Sequence, residues 1–293
     1  MLELHDITRS FDSRRVLHDV GFGVAPGKLT GFVGANGAGK TTTMRIILGV
    51  LSADSGTVTL DGAALTASDR RRFGYMPEER GLYPKMRLAE QLTYLARLHG
   101  CGHVAARANA RALLERLGLA ERADDPVEKL SLGNQQRAQI AAALVHDPAV
   151  LVLDEPFSGL DPLAVETVQT VLKEYAARGV PVLFSSHQLD IVERICDDLV
   201  IIADGEVRAA GSRAALRAEY SQPRYELLLP EDAGWIAAEP GVAVVHLDDG
   251  YALFEASPDV AQRVLHAAIG RGPVAGFSPL QPSLAQIFRE VVG

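Results

Sequence analysis

The sequence predicts an α/β fold over most of its length, followed by a smaller α+β domain, and three observations carry that reading. From Leu2 to about Gly211, short β-branched runs alternate with longer helical stretches, and glycine-rich turns fall where the two meet. Between Leu88 and Leu119 the alternation stops, and the chain turns rich in Ala, Leu and Arg at helical spacing, which predicts a helical insertion. Near Tyr220 the composition shifts again, and the segment beyond it reads as strand, helix, strand, strand, helix, strand, the ferredoxin-like order.

Taken in order, the apolar runs Leu29 to Val33, Val150 to Leu153, Val182 to Phe184 and Leu199 to Ile202 are short, β-branched and bounded by turn or polar residues. They are expected to be buried strands. A helix is expected over Thr42 to Leu48, and the helical subdomain over about 87–147, broken at Gly100 to Gly102. A helix over Ser212 to Glu219 and a linker at Ser221-Gln222-Pro223 end the larger domain, which gives expected domains at 1–219 and 220–293. In the second domain the expected strands are Arg224 to Leu229, Val242 to Leu247, Tyr251 to Glu255 and Pro273 to Phe277. A short helix falls near Trp235, a hairpin turn at Asp248-Asp249-Gly250, and helices at Asp259 to Ile269 and Ser283 to Val292.

Composition narrows the classes of function. With 47% hydrophobic and 23% charged residues among 293, the chain is too apolar to be disordered. Acidic residues outnumber basic ones 37 to 29, for a formal charge of -8, which is the wrong sign for a nucleic-acid partner. The longest apolar runs are strand-sized, far short of the roughly 20 residues that cross a bilayer. Met1 to Phe11 lack a basic and then apolar leader, so a cytoplasmic location is expected. Cys101 and Cys196 are widely spaced and read as reduced thiols.

The strongest local signal is Gly34-Ala35-Asn36-Gly37-Ala38-Gly39-Lys40-Thr41, between the run ending at Val33 and the helical stretch that Thr42 opens. This is a P-loop in its strand-to-helix setting. Its glycines let successive backbone N–H groups turn inward toward phosphate oxygens at a helix N-terminus. Lys40 supplies a cation for the β- and γ-phosphates of ATP, and the Thr41 hydroxyl is placed for Mg²⁺. A second element, Val150 to Glu155, is an apolar strand that ends in two carboxylates. Asp154 can hold the metal, and Glu155 can act as general base toward the attacking water.

The segment Leu130 to Arg137, Leu-Ser-Leu-Gly-Asn-Gln-Gln-Arg, resembles the signature sequence of ABC ATPases, with Leu132 where glycine is usual and Asn134 where glutamine is usual. Ser158 to Asp161 resembles that family's D-loop, His187 its switch histidine, and Phe11 the aromatic residue that stacks on adenine. Glu78, in Gly74 to Pro84, stands where the family has a glutamine that senses metal and attacking water. The segment Pro77 to Met86 and the tail Pro282 to Gly293 look like the bacterial ABC-2 type exporters of the sodium-efflux and drug-resistance kind.

The resemblance implies a P-loop ABC ATPase core with a helical subdomain, using ATP and Mg²⁺. Thr41, Asp154 and Glu78 would face the metal, and Glu155 and His187 would be catalytic. Ser131, Gly133 and Asn134 would contact ATP held by a second copy, with Asp161 at the subunit interface. It further implies a homodimer, or a pair with a related subunit, bound to a separate transmembrane permease at the inner face of the cell membrane through a surface around Glu78 to Leu92. The competing reading is a soluble ABC ATPase acting on nucleic acid or ribosomes; one P-loop, one signature and the acidic balance weigh against it.

Overall fold

Strands β1 (Leu2–Phe11) and β2 (Arg14–Val24) form an antiparallel pair and lead into β3 (Leu29–Val33), whose five residues are all buried, and then into helix α1 (Lys40–Ile47). β4 (Ser55–Leu60), β5 (Ala63–Ala64), the single turn α2 (Ala67–Arg70) and β6 (Phe73–Met76) follow. Next come α3 (Leu88–Leu98), α4 (His103–Arg116) and α5 (Leu132–Leu144), and then β7 (Val150–Leu153), α6 (Pro162–Ala177), β8 (Val182–Ser186), α7 (Leu189–Ile195), β9 (Asp198–Ala203) and β10 (Glu206–Ser212). This computed structural model describes residues 1–79, 81–220, 223–280 and 282–292 and divides into two units, Met1–Arg213 and Ala214–Val291. Arg80, the expected linker residues Ser221 and Gln222, Gln281 and Gly293 lie outside the described residues.

The central sheet of the first unit has the order β10-β9-β3-β8-β7-β6, with β10 antiparallel and every other pairing parallel. Parallel strands covered on both faces favour apolar side chains at successive positions, which is why β7 and the start of β8 read as continuous rather than alternating runs, with Thr30 of β3 and Ser185 and Ser186 of β8 as buried polar exceptions. Parallel pairing also brings the carboxyl ends of β3, β6, β7 and β8 to one edge, and these four ends deliver the phosphate loop, Glu78, the Asp154-Glu155 pair and His187.

A second, antiparallel sheet, β2-β1-β4-β5, was not legible in the sequence. The register of β1 shifts between Leu4 and Ile7 and again before Arg9, and Asp6 takes a φ of 50° within that irregular stretch, so the two-residue alternation of a half-buried strand is interrupted. β6 is likewise a strand that was not among those expected from the sequence. The loop proper begins at Pro77.

The helical insertion forms as expected. α3 ends at Leu98, Gly100 takes a φ of 92°, and α4 starts at His103. Ala96, Ala106, Ala110 and Leu113 are among its buried residues.

In the second unit, helix α8 (Arg213–Glu219) precedes β11 (Arg224–Leu228), a 3₁₀ turn (Gly234–Ala238), β12 (Ala243–Asp248), β13 (Tyr251–Glu255), α9 (Pro258–Arg271), β14 (Gly276–Leu280) and α10 (Leu284–Val292). The sheet order β12-β13-β11-β14, antiparallel throughout, is the ferredoxin-like order, with the first helix reduced to the 3₁₀ turn. Its core gathers Leu227, Ile236, Ala252, Phe254, Ala261, Val264 and Ala268. The last strand starts at Gly276 rather than at Pro273, because pairing with β11 begins at Gly276 opposite Leu228. The units divide at Arg213 and Ala214, so most of α8 groups with the second unit rather than the first.

Candidate active site

The phosphate loop leaves β3 at Gly34, where a Cβ would lie 2.4 Å from the Ile202 carbonyl oxygen of β9; only glycine passes. Gly37 and Gly39 take φ of 83° and 110°, and Gly39 caps α1 in the left-handed region, so the loop turns its N–H groups toward the cleft in front of the helix. Ala35 and Ala38 close the loop with a 3.1 Å bond from the Ala38 N–H to the Ala35 carbonyl. Lys40 curls back and donates from Nζ to the carbonyls of Gly34 (2.6 Å) and Ala35 (3.2 Å). Burial pulls its pKa below the ordinary lysine value, and the carboxylates of Glu155, Asp154 and Glu78 oppose that pull.

Asp154 emerges from β7 with both oxygens engaged: Oδ2 accepts from the Thr41 hydroxyl at 2.9 Å and Oδ1 from the Ser185 hydroxyl at 2.5 Å. Ser185 in turn accepts from the Glu155 N–H at 2.9 Å. Glu155 stands at φ 50°, a region costly for a side chain with a Cβ, and is 7% exposed. Gln136 of α5 holds its carbonyl at 2.9 Å, and the Nδ1–H of His187 donates to its Oε1 at 2.9 Å. The strained backbone aims the carboxylate, and the histidine fixes its rotation.

Asn36, Gly37, Gly39, Lys40, Thr41, Thr42, Glu78, Asp154 and Glu155 line one cleft of about 640 Å³, together with Phe11, which is 43% exposed. His187 is not among the lining residues and reaches the cleft only through its bond to Glu155. The loop bearing Glu78 hangs from Gln139 of α5, whose Nε2 donates to the carbonyls of Pro77 (3.4 Å) and Glu79 (3.2 Å).

Among the described residues no three His, Cys, Asp or Glu side chains cluster as a ready-made metal site. Mg²⁺ takes one or two protein oxygens and fills its octahedron with water and phosphate. The Thr41 hydroxyl held against Asp154 is such a pair.

Ser131, Gly133, Asn134 and Asp161 are not part of this cleft. Ser131 caps α5 and accepts from the Asn134 N–H at 3.3 Å; Asp161 caps α6 and accepts from the Ala164 N–H at 2.8 Å. The two segments adjoin each other, since a Cβ on Gly133 would lie 3.5 Å from the Gly159 carbonyl, and Ser131 and Asp161 are exposed. They form a second surface of the same chain.

Sequence reasoning missed Ser185, Gln136 and Gln139, all buried, and the wall residues His18, Asp204 and Gly205. A polar residue at the end of an apolar strand could have flagged Ser185. For His18 and Gly205, brought together by a 2.8 Å bond from the His18 N–H to the Gly205 carbonyl, no local signal exists.

The domain family described as ABC transporter matches residues 17–158, and the family described as ATP-binding protein DrrA1-3-like, C-terminal domain, matches residues 211–292. The uncharacterized ABC transporter ATP-binding protein YhaQ of Bacillus subtilis is 36% identical over 294 residues, covering 100% of this chain and 99% of that protein. The linearmycin resistance ATP-binding protein LnrL of the same organism is 35% identical, covering 74% of this chain and 70% of that one. A Nod factor export ATP-binding protein of Paraburkholderia xenovorans is 37% identical, covering 73% and 72%. A solved ATP-binding subunit of an ABC transporter superposes with a TM-score of 0.70 at 33% identity, over 75% of this chain and 93% of that one. With likeness to such proteins running from end to end, the chain belongs to the ABC transporter ATP-binding proteins.

Proposed function

We propose that this chain powers an exporter by hydrolysing Mg-ATP at sites shared between two copies, each pairing its phosphate loop with the signature segment of the other. Membership of the family makes it an ATP-binding ATPase. The observation that carries the residue roles is Glu155, a buried carboxylate at a strained backbone position, hydrogen-bonded to His187 beside Lys40, Thr41 and Asp154.

In this reading the glycine-rich loop and Lys40 hold the β- and γ-phosphates. Mg²⁺, held by Thr41 and Asp154 and approached by Glu78, would neutralise charge on the phosphate oxygens. Glu155 accepts a proton from water as the water oxygen bonds to the γ-phosphorus; the bond from that phosphorus to the bridging oxygen breaks, and ADP and inorganic phosphate result. His187 keeps the carboxylate turned toward the water. Phe11 stacks on the base.

Ser131, Gly133 and Asn134 do not line the cleft of their own chain, and Ser131 is exposed, which supports a role toward ATP on a second copy, with Asp161 near them. ATP binding would close the pair and hydrolysis reopen it. No described helix is long and apolar enough to cross a membrane. The transmembrane path would therefore belong to a separate permease, gripped around Glu78 to Leu92 and keeping this chain at the inner face of the membrane. Export follows the relatives named for resistance and for Nod factor export.

The test uses Glu155→Gln, which keeps shape and removes the base. ATP binding should persist while turnover falls by about 100-fold or more. The tagged variant with Mg-ATP should also draw a polytopic protein from detergent-solubilised native membranes. Undiminished turnover would remove Glu155 from the role; ribosomes or DNA in place of a membrane protein would remove the transporter.

A further inference from the structure

Phe11 ends β1 in the lining of the cleft, and the residues just before it are held in an unusual way. Asp54, in the turn before β4, engages three consecutive residues. Its N–H donates to the Thr8 carbonyl at 2.8 Å, its Oδ1 accepts from the Arg9 guanidinium at 2.9 Å, and its Oδ2 accepts from the Ser10 N–H at 2.7 Å. The guanidinium so anchored lies over the Phe11 ring, 5.0 Å from its centroid. Phe11 lines the cleft, and Arg9 does not. The Arg9 Nε–H is buried with no hydrogen-bond partner among the described residues, so Asp54 and the Phe11 ring are the contacts described for its guanidinium.

We infer that Arg9 and Asp54 are positioning residues for the nucleotide base: Asp54 pins the end of β1, and Arg9, held by Asp54, fixes and polarises the Phe11 ring against which the purine stacks. The inference rests on the nucleotide reading of the cleft and extends it to residues that touch neither phosphate nor base. A cation behind one face of an aromatic ring draws electron density from the other, which favours stacking by an electron-rich purine. The contribution acts on the base alone. In the proposed function the triphosphate is held instead by the glycine-rich loop and Lys40.

The experiment compares calorimetric binding of Mg-ATP with that of Mg-tripolyphosphate, which has the phosphates and no base. Phe11→Ala should weaken ATP by about tenfold and leave tripolyphosphate unchanged. Arg9→Gln should weaken ATP by about threefold to tenfold, again sparing tripolyphosphate, with Arg9→Lys recovering most of the loss. Asp54→Asn should follow Arg9→Gln in direction. In the Phe11→Ala background Arg9→Gln should have no further effect, because Arg9 acts through the ring. Equal weakening of ATP and tripolyphosphate by Arg9→Gln, no weakening of either, or a loss that persists without Phe11 would overturn the inference while leaving the base contact intact. If Phe11→Ala itself leaves the ratio of ATP to tripolyphosphate affinity unchanged, the stacking reading fails and the positioning role fails with it.

Discussion

Ser185 shows how much of the catalytic geometry hangs on one hydroxyl. It donates to Asp154 and accepts from the Glu155 N–H, and all three residues are buried. Ser185→Ala would orphan a buried carboxylate oxygen and a buried N–H, at a cost of about 1–3 kcal/mol each. A fall of that order in urea-denaturation stability is expected together with a loss of turnover; unchanged stability would show that water replaces the hydroxyl. Glu78 poses the other question at this scale. It joins Asp154 and Glu155 around Lys40 in the cleft, so the pocket carries more negative charge than a glutamine there would give. Glu78→Gln is expected to raise affinity for ATP without metal and to make binding less steep in Mg²⁺. Superimposable Mg²⁺ titrations of nucleotide binding for the two proteins would refute that. Glu155, Lys40 and Asp154 were legible in the sequence because strand-end carboxylates and a glycine-rich loop have few structural uses. Ser185 carried only the weak signal of a polar residue at the end of an apolar strand, and its partners Asp154 and Glu155 lie 31 and 30 residues away in the chain.

At the scale of elements, the helical insertion meets the sheet through a pair of stacked imidazoles. His99, at the end of α3, and His146, after α5, lie 3.7 Å apart with planes 13° from parallel. His99 donates from Nδ1 to the Arg71 carbonyl at 2.9 Å, and His146 from Nε2 to the Phe73 carbonyl at 3.1 Å, so both tie the helices to the start of β6. Burial and the neighbouring His99 push the pKa of His146 down to about 4, with the Phe73 carbonyl and Asp147 opposing. A histidine depressed from 6.5 in the folded chain is protonated first in the unfolded one. It therefore contributes nothing to the pH dependence well above 6.5 and costs stability progressively as pH falls from there toward 4. Urea midpoints should decline over that window in the native protein and less in His146→Phe; parallel declines would assign the loss elsewhere. The regular elements were readable where pattern and burial coincide, as in β3 and β7. Where bulges break the alternation, as in β1, and where a four-residue strand lies at a sheet edge, as in β6, local pattern carries no such signal.

At the scale of the molecule, the proposed function has one chain carry two halves of different sites. The parallel sheet assembles the cleft from the ends of four strands, and the helical subdomain sets Ser131 and Gly133 on another surface beside the segment ending at Asp161. The family resemblance already implied a pair; the three-dimensional arrangement adds that Ser131, Gly133 and Asn134 do not line the cleft of their own copy. The most direct measurement is analytical ultracentrifugation of Glu155→Gln with saturating Mg-ATP, with and without Ser131→Arg. A dimer holding two ATP molecules is expected for the first protein and a monomer still able to bind ATP for the second; a Glu155→Gln protein that fills with ATP yet stays monomeric would rule out the shared site.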